Sequence, residues 1–224
     1  MTLVLTPEIG RRHLIGGLSA VSAALLLPSR LAAQAALAAT PRQTAGPFYP
    51  VDWAGDSDGD LVVVTGEAAR AQGTVAHVQG RVLDIRGQPV SGALVEIWQC
   101  DAVGVYRHPA DERGTRRHDS GFQGRGRVVA DASGTYKFRT IRPVAYPGRT
   151  PHIHIAVKVP KQEKFTTQCY VKGHPGNDRD GIFRSLRDEK ARGALLVDFI
   201  PIQESRLGEL AAKFDIVLGF TPEA

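Results

Sequence analysis

Two histidines separated by one residue, His152 and His154, have the types and spacing that best suit metal chemistry in this chain. The segment 152–159 is rich in β-branched residues and is predicted to be a β-strand, on which alternate residues share a face. The two imidazoles then lie on one face, about 7 Å apart along the strand. Ile153 and Ile155 lie on the opposite face. Two imidazoles at this spacing can bind one metal ion while the apolar face packs in a core.

The loop before this strand brings further chemistry toward the histidines. Tyr146 and Arg149 are close enough along the chain to join the site. Pro147 and Pro151 stiffen the approach because the proline ring fixes φ. The alternative is that the pair is simply two surface histidines on a strand. The apolar opposite face and the composition of the loop favour a metal site.

The N-terminus has the layout of an export signal. Arg11 and Arg12 precede an apolar run, 14–27, that is too short to span a bilayer, and a small-x-small cleavage sequence follows at 36–38. The paired arginines indicate the twin-arginine route. We therefore predict that residues 1–38 are removed and that the protein is exported to the periplasm or the extracellular space.

The charge and hydropathy of the chain limit the classes of binding partner that can be expected. The formal net charge is +5, and it falls to +3 without residues 1–38, because three arginines and one glutamate leave with them. No Lys/Arg cluster with interleaved aromatic residues occurs in the sequence, so nucleic-acid binding is not indicated. No second hydrophobic stretch could span a membrane, so no membrane partner is expected once the signal is removed. Homo-oligomerisation is left open.

Two cysteines, Cys100 and Cys169, allow either one disulfide or two free buried thiols. Each follows a glutamine in or at the end of a strand-like run. We expect the two residues to lie on neighbouring strands near the histidine pair. The sequence leaves the redox state open.

Many short strands with Gly/Pro turns predict an all-β fold, a β-sandwich of mostly antiparallel strands with long active-site loops and one short helix. The predicted strands are 74–85, 93–100, 127–130, 135–141, 152–159, 164–172, 195–200 and 214–220, with the helix at 180–191. Residues 39–73 are predicted to be an extended N-terminal arm, and residues 74–224 the sandwich.

Six stretches, taken in order, resemble the intradiol ring-cleavage dioxygenases, the family of the protocatechuate, catechol and hydroxyquinol dioxygenases. The stretches are 80–84, 92–99, 104–108, 134–141, 146–154 and 167–170. Together they place the resemblance over roughly residues 44–175. Its most specific part is one constellation of five residues: Tyr106, Tyr146, Arg149, His152 and His154.

The resemblance implies one mononuclear non-haem Fe(III) per chain, held by Tyr106, Tyr146, His152 and His154. Fe(III) is a hard Lewis acid that suits anionic oxygen ligands. Its charge lowers the pKa of a phenol, so that tyrosinate can bind at neutral pH. Two tyrosinates stabilise the ferric state, and the iron then activates the substrate through chelation of its two oxygens.

The resemblance also implies the reaction, which inserts O2 between the two hydroxylated carbons of a catechol-type aromatic and gives a cis,cis-muconate. Tyr146 matches the tyrosinate that leaves and helps to deprotonate the substrate. Arg149 matches the arginine that stabilises the anionic substrate. Gln168 matches a pocket glutamine, or only supports nearby backbone. Tyr49 is a substrate-contacting pocket wall, or an anchor for the N-terminal arm.

Two features depart from the family pattern. The loop from Tyr146 to His152 is short, and Gly148 stands where protocatechuate enzymes place a bulky aromatic residue. The helical dimerisation domain of catechol dioxygenases has no counterpart, because the signal fills that region. The competing interpretations are a non-catalytic exported β-sandwich binding module and a cupin-type metalloenzyme. The cupin pattern fits less well, because Glu163 comes too late after His154.

Overall fold

The computed structural model describes residues 36–112 and 115–222. These residues belong to one compact unit, Gln34–Ala224. The predicted export signal lies outside them except for its last three positions, so export stays a prediction that N-terminal sequencing of the exported protein would test. Within the described ranges, no helix is long and apolar enough to cross a membrane.

The described residues form a sandwich of two five-stranded sheets, and this confirms the predicted β-sandwich. Most strand pairs are antiparallel, with parallel pairs near the C-terminus of the chain. The ten strands, β1 to β10, are Val75–Leu83, Leu94–Trp98, Arg125–Val129, Thr135–Ile141, His152–Lys158, Phe165–Val171, Leu196–Val197, Phe199–Pro201, Leu210–Lys213 and Ile216–Val217.

The first sheet is built around β1. Strand β4 pairs antiparallel along one edge of β1, while β9 and then β10 pair parallel along its other edge, and β8 adds to β9. The strands predicted at 195–200 and 214–220 are wrong in detail, because two short strands, β7 and β8, take the place of the first and only the two residues of β10 form the second. Strand β9 lies between the two predicted ranges, where the sequence predicts no strand. The alternating burial of β1, with Val78 and Val82 buried, matches a sheet that faces a core on one side.

The second sheet has the order β3-β2-β5-β6-β7, so the His-x-His strand β5 is its middle strand. The inward side chains Ile153 and Ile155 join the core between the sheets, where they pack with residues such as Val78 and Phe138 of the first sheet. The outer face of the second sheet carries a separate cluster that includes Trp98, Cys100, Tyr106 and Ala156. The candidate metal ligands therefore lie on the outer face, with the main core behind them.

The prediction of one helix at 180–191 is wrong, because this region contains two shorter helices. The structure has a 3-10 turn, Asn177–Arg179, and two five-residue helices, α1 at Gly181–Ser185 and α2 at Glu189–Gly193. Asp180 caps the first helix by accepting from the backbone N–H groups of Ile182 and Phe183. Asp188 caps the second. Two N-caps eight residues apart divide what the sequence pattern presents as one helix.

The two cysteines are free and buried. They do not lie on neighbouring strands, because Cys100 follows β2 and Cys169 lies on β6, with β5 between them. Cys100 packs in the outer-face cluster and Cys169 in the core between the sheets. The expected proximity of the two residues to each other is therefore wrong, since they point to opposite faces of the second sheet.

Residues 37–49, here called the leading segment, lie along both sheets and comprise the last two positions of the predicted export signal and the first part of the arm. Three backbone hydrogen bonds of 2.9 Å hold it, from Leu37 N to Ile85 O, Thr40 N to Val217 O and Gln43 N to Thr166 O. These partners span most of the folded chain. The segment continues over the outer face of the second sheet and reaches the histidine pair.

Candidate metal centre

The imidazoles of His152 and His154 face each other on the outer face of β5. Their Nε2 atoms are 3.1 Å apart, and each residue is only 1% exposed. Burial, and after it the charge of Arg149, lower the pKa of His152 to about 4. Burial and the neighbouring His152 hold the pKa of His154 well below its ordinary value. Both rings are therefore neutral at pH 7, the state in which a histidine binds metal.

Hydrogen bonding fixes which nitrogen of His152 is free. Its Nδ1 lies 2.7 Å from the carbonyl oxygen of Thr150, which can only accept, so Nδ1 carries the proton. The lone pair is then on Nε2 and points toward His154. This support of a ligand imidazole by a backbone carbonyl is common at metal sites.

His154 is held by packing. The indole of Trp98 stacks on its ring, with the centroids 4.9 Å apart and the planes within 5°. Gly46 of the leading segment lies on another side at φ +68, where a Cβ would come within 3.3 Å of the ring. Among the described residues, the buried Nδ1 has no hydrogen-bond partner of good geometry. The backbone of Thr44 nevertheless acts to raise the pKa of the ring, against the larger effect of burial. The ring is wedged between β2 and the leading segment.

Tyr106 reaches the same point from the loop after β2. Its hydroxyl oxygen is 3.4 Å from Nε2 of His152, and the residue is 2% exposed. The ring stacks on Phe48 of the leading segment at 4.6 Å, and the backbone N–H donates to the carboxylate of Asp111. Burial, then the neighbouring Tyr146, raise the pKa of Tyr106 well above its ordinary value.

Tyr146 lies on the other side of the histidine pair, on a tight turn. The carbonyl of Tyr146 accepts from the backbone N–H of Arg149, and Gly148 at φ +82 completes the turn. Its ring centroid is 5.5 Å from that of Tyr106 and 5.6 Å from that of His152. Tyr146 is only partly buried, whereas Tyr106 is enclosed. Burial still raises the pKa of Tyr146, with the charge of Arg149 acting against it.

The donor set suits a hard trivalent metal such as Fe(III). Two neutral imidazoles converge on one point, and two phenols flank it, so a bound cation would meet two nitrogen and two oxygen donors. The raised pKa values of both phenols mean that a nearby cation is needed to ionise them. Residues 36–112 and 115–222 contain no group of three or more His, Cys, Asp or Glu side chains that could hold a metal. The phenols therefore distinguish this site from carboxylate or thiolate metal sites.

Arg149 is held beside the site by a buried carboxylate that the sequence interpretation missed. Its Nε donates to Asp180 at 2.8 Å, and its terminal nitrogen donates to the amide oxygen of Gln168 at 2.6 Å. Burial opposes ionisation of Asp180, but hydrogen bonds from Phe183 N and Thr150 N, together with Arg149, lower its pKa. Asp180 lies 31 positions after Arg149. No local sequence signal pairs the two residues.

Gln168 connects Arg149 to the leading segment. Its amide nitrogen donates to the Thr44 carbonyl at 2.9 Å, and its oxygen also accepts from the Tyr170 hydroxyl at 3.0 Å. The hydroxyl of Tyr170 also bonds to the side chain of Gln43. In the β5–β6 register Gln168 lies opposite His154. Gln168 thus lies beside the histidines and supports both Arg149 and the leading segment.

The hydroxyl of Tyr49 points away from the histidine pair. It donates at 2.7 Å to Glu96, a fully buried carboxylate that also pairs with Lys158 at 2.7 Å. The Tyr49 ring packs edge-on against Trp98, whose indole stacks on His154. Both roles considered for Tyr49, pocket wall and anchor for the arm, stay predictions.

A cavity of ≈ 260 Å³ opens beside the turn that carries Tyr146 and Arg149. Its lining residues are Ala145, Tyr146, Gly148, Arg149, Thr150, His174, Gly176, Arg179 and Asp180. The sequence analysis assigns no role to His174 or Arg179. Of the residues assigned to the candidate site, Tyr146 and Arg149 line this cavity, so it borders the site on the side of the turn.

Comparison with known proteins identifies the class to which this sandwich and its outer-face site belong. The model of the family described as Dioxygenase matches residues 44–219. The chain belongs to this family, the intradiol ring-cleavage dioxygenases, and is an oxidoreductase of that class. The match extends over both sheets and the candidate site.

Three relatives illustrate the likeness. The chain is 36% identical to the protocatechuate 3,4-dioxygenase beta chain of Burkholderia cepacia, over 79% of this chain and 78% of that one. It is 32% identical to hydroxyquinol 1,2-dioxygenase of Corynebacterium glutamicum, over 77% of this chain but only 61% of the relative. The solved dioxygenase domain of a dioxygenase–carbohydrate-binding protein fusion from Streptomyces sp. SirexAA-E aligns with TM-score 0.61 and 30% identity, covering 82% of this chain and all of that domain.

Proposed function

We propose that the protein is an Fe(III)-dependent intradiol dioxygenase. In this proposal one Fe(III) per chain is held by Tyr106, Tyr146, His152 and His154. The substrate is a catechol-type aromatic, which is opened between its two hydroxylated carbons to a cis,cis-muconate. Relatives of the chain are protocatechuate, catechol and hydroxyquinol dioxygenases, and this supports a catechol-type substrate.

The observation that carries the proposal is the convergence of donor atoms at one buried point. The Nε2 atoms of His152 and His154 are 3.1 Å apart, and the Tyr106 hydroxyl oxygen is 3.4 Å from the first of them. Because both imidazoles are neutral, their lone pairs are available at this point. Bound Fe(III) would supply the Lewis acidity that ionises the phenols and the catechol hydroxyls and makes the catecholate reactive toward O2.

The residues of the turn provide the proton chemistry in this proposal. Tyr146 is the less enclosed of the two phenols, so its oxygen is the one that can move away and accept a proton from a catechol hydroxyl. Arg149 presents a fixed positive charge to the anionic ring, since Asp180 and Gln168 hold its guanidinium in place. Gln168 is a positioning residue through that contact.

The reaction balances without an outside reductant. The bond between the two hydroxylated carbons breaks, and each of these carbons gains one oxygen atom of O2 and becomes a carboxyl group. The ring is oxidised and O2 is reduced in the same step. In this proposal the enzyme therefore needs no reduced cofactor.

The test is to incubate the purified protein with catechol under ¹⁸O2 and to measure the molecular mass of the product by mass spectrometry. We expect one iron per chain, a visible tyrosinate-to-Fe(III) absorption band and a muconate that carries two ¹⁸O atoms. The matched control uses ordinary O2 in H2¹⁸O. A ring opened next to the diol, or a colourless protein without iron, would overturn the proposal.

A further inference from the structure

The cavity beside the turn borders the candidate metal centre and has room for a substituent of the aromatic ring. It shares Tyr146 and Arg149 with the candidate centre and extends to His174 and Arg179. Its ≈ 260 Å³ lie just below the ~300 Å³ at which typical ligand pockets begin. A cavity of this size suits one substituted aromatic ring. The chemistry of its far wall then determines which substituent is accepted.

The far wall is positively charged. Asp180 is the acidic side chain among the lining residues, and it is buried and fully engaged with Arg149 and with three backbone N–H groups. Arg179 is exposed, and its side chain has no hydrogen bond or ion pair within residues 36–112 and 115–222. An arginine with five unused donors in a fixed planar fork is well suited to a carboxylate.

His174 adds a hydrogen-bond donor to this wall. Its Nδ1 accepts from the backbone N–H of Gly176 at 3.0 Å, so that nitrogen carries no proton. The ring proton of the neutral imidazole is then on Nε2, which makes Nε2 a donor. Burial, then the charges of Arg142 and Arg179, lower the pKa of His174, and this reflects the positive potential around it.

We propose that Arg179 and His174 form an anion subsite, so that the preferred substrate is a catechol bearing a carboxylate on its ring. The inference rests on the proposed ring-cleavage function, because the cavity continues directly from Tyr146 and Arg149. Arg149 itself is already assigned to the anionic ring of the substrate, and its contacts with Asp180 and Gln168 fix its guanidinium at that position. Arg179 is therefore the specificity-determining residue, and His174 assists it with one neutral donor.

The experiment compares two substrates that differ in charge but hardly in shape, 3,4-dihydroxybenzoate and 3,4-dihydroxybenzamide. The parent protein should favour the benzoate in kcat/KM by about ten- to hundredfold, the range of a charge-assisted hydrogen bond. Arg179→Gln should abolish that preference mainly by raising KM for the benzoate. His174→Gln, whose amide can still donate a hydrogen bond, should lose less of the preference for the benzoate than Arg179→Gln.

Arg184→Gln is the matched control, because it removes the same charge five positions further on, from an exposed residue outside the cavity. It should keep the full preference for the benzoate. Equal losses in Arg179→Gln and Arg184→Gln would mean that general charge attraction, not a subsite, selects the substrate. An unchanged preference in Arg179→Gln would also overturn the assignment.

Calorimetric titration of the purified protein with benzoate and with benzamide separates this inference from the proposed function. Neither compound can be cleaved, so binding is measured even if the protein opens no ring. Benzoate should bind more tightly than benzamide in the parent and in Arg184→Gln, but not in Arg179→Gln. If the protein cleaves catechols yet binds benzoate no better than benzamide, the subsite is wrong and the proposed function stands.

Discussion

The two halves of the candidate centre are built in different ways. His152 and His154 lie on the middle strand of a sheet, with a carbonyl behind one ring and an indole against the other. Tyr146 and Arg149 lie on a tight surface turn. A Cβ atom added to Gly148 in this turn would have no described residue other than its chain neighbours within 4 Å. Packing on several sides fixes the strand half, which consists of His152 and His154. The turn half, which consists of Tyr146 and Arg149, is held by a few polar contacts.

This difference indicates that the two halves have different roles in the proposed mechanism. A ligand that must stay bound is best placed on a rigid element with supporting neighbours. A ligand that must leave and take up a proton is best placed where the chain can move at low cost. The strand half would therefore set metal affinity, and the turn half would set turnover and substrate choice.

The largest expected effect is on the strand half. His152→Ala should lose iron and the visible absorption band together, because it removes a buried donor and leaves His154 alone. Iron content and the visible spectrum of the purified variant measure this. His77→Ala is the control, because His77 pairs with Glu209 on the first sheet and should leave both readouts unchanged. Full iron retention in His152→Ala would contradict the proposed ligand set.

The next effect is on the polar support of the turn. Asp180→Asn should destabilise the protein by about 3–5 kcal/mol at pH 7, because it leaves the buried side of Arg149 without its counter-charge. Urea unfolding of the parent and the variant measures the difference.

The pH dependence of that difference has a definite sign. The folded-state pKa of Asp180 is lowered, so its stabilisation is present above the unfolded pKa and is lost as the pH falls through the folded value. The gap between parent and Asp180→Asn should therefore shrink below about pH 4. A gap that is the same at pH 3 and pH 7 would show that the carboxylate charge is not the cause.

The third prediction separates charge from ligation within the turn. Arg149→Gln should keep iron and colour but lower kcat by about a hundred- to thousandfold, the range for one preorganised contact to a developing anion. A guanidinium stays protonated and has no lone pair for a metal, so the variant removes no ligand. Iron analysis and turnover on catechol measure both quantities. Turnover equal to that of the parent would remove the role given to Arg149.

The smallest effect is expected for Tyr146→Phe. The variant should retain iron, because three donors remain and the strand half is intact, but its absorption band should shift. Tyr106→Phe provides the comparison, since Tyr106 is the enclosed phenol and its loss should weaken iron binding more. An unchanged spectrum in Tyr146→Phe would mean that Tyr146 is not a ligand in the resting enzyme.

The sequence predicts the strand half well because period-two alternation is a local signal. The β5 pattern alone places the two imidazoles on one face and Ile153 and Ile155 on the other, and the structure has this arrangement. The family resemblance then adds Tyr106 and Tyr146 from other loops. Both kinds of information are written in short stretches of residues.

The remaining features depend on contacts between distant parts of the chain. Asp180 pairs with Arg149 only because the helical segment folds back beneath the turn. Strand β9 has the sequence Leu-Ala-Ala-Lys, which favours a helix in isolation, yet parallel pairing with β1 makes it a strand. The split of the predicted helix follows from Asp188, whose cap can be seen only once the second helix begins.

The leading segment has a consequence for the order in which the protein is made. Thr40 is hydrogen-bonded through its backbone N–H to Val217, and its hydroxyl accepts from the Val217 N–H, so residues 177 positions apart close on each other. A nascent chain cannot seat this segment until residue 217 has left the ribosome. Phe48 and Gly46, which cover Tyr106 and His154, come from the same segment. The candidate site is thus covered only after residue 217 has been synthesised, and a chain truncated before that residue would present its histidines uncovered.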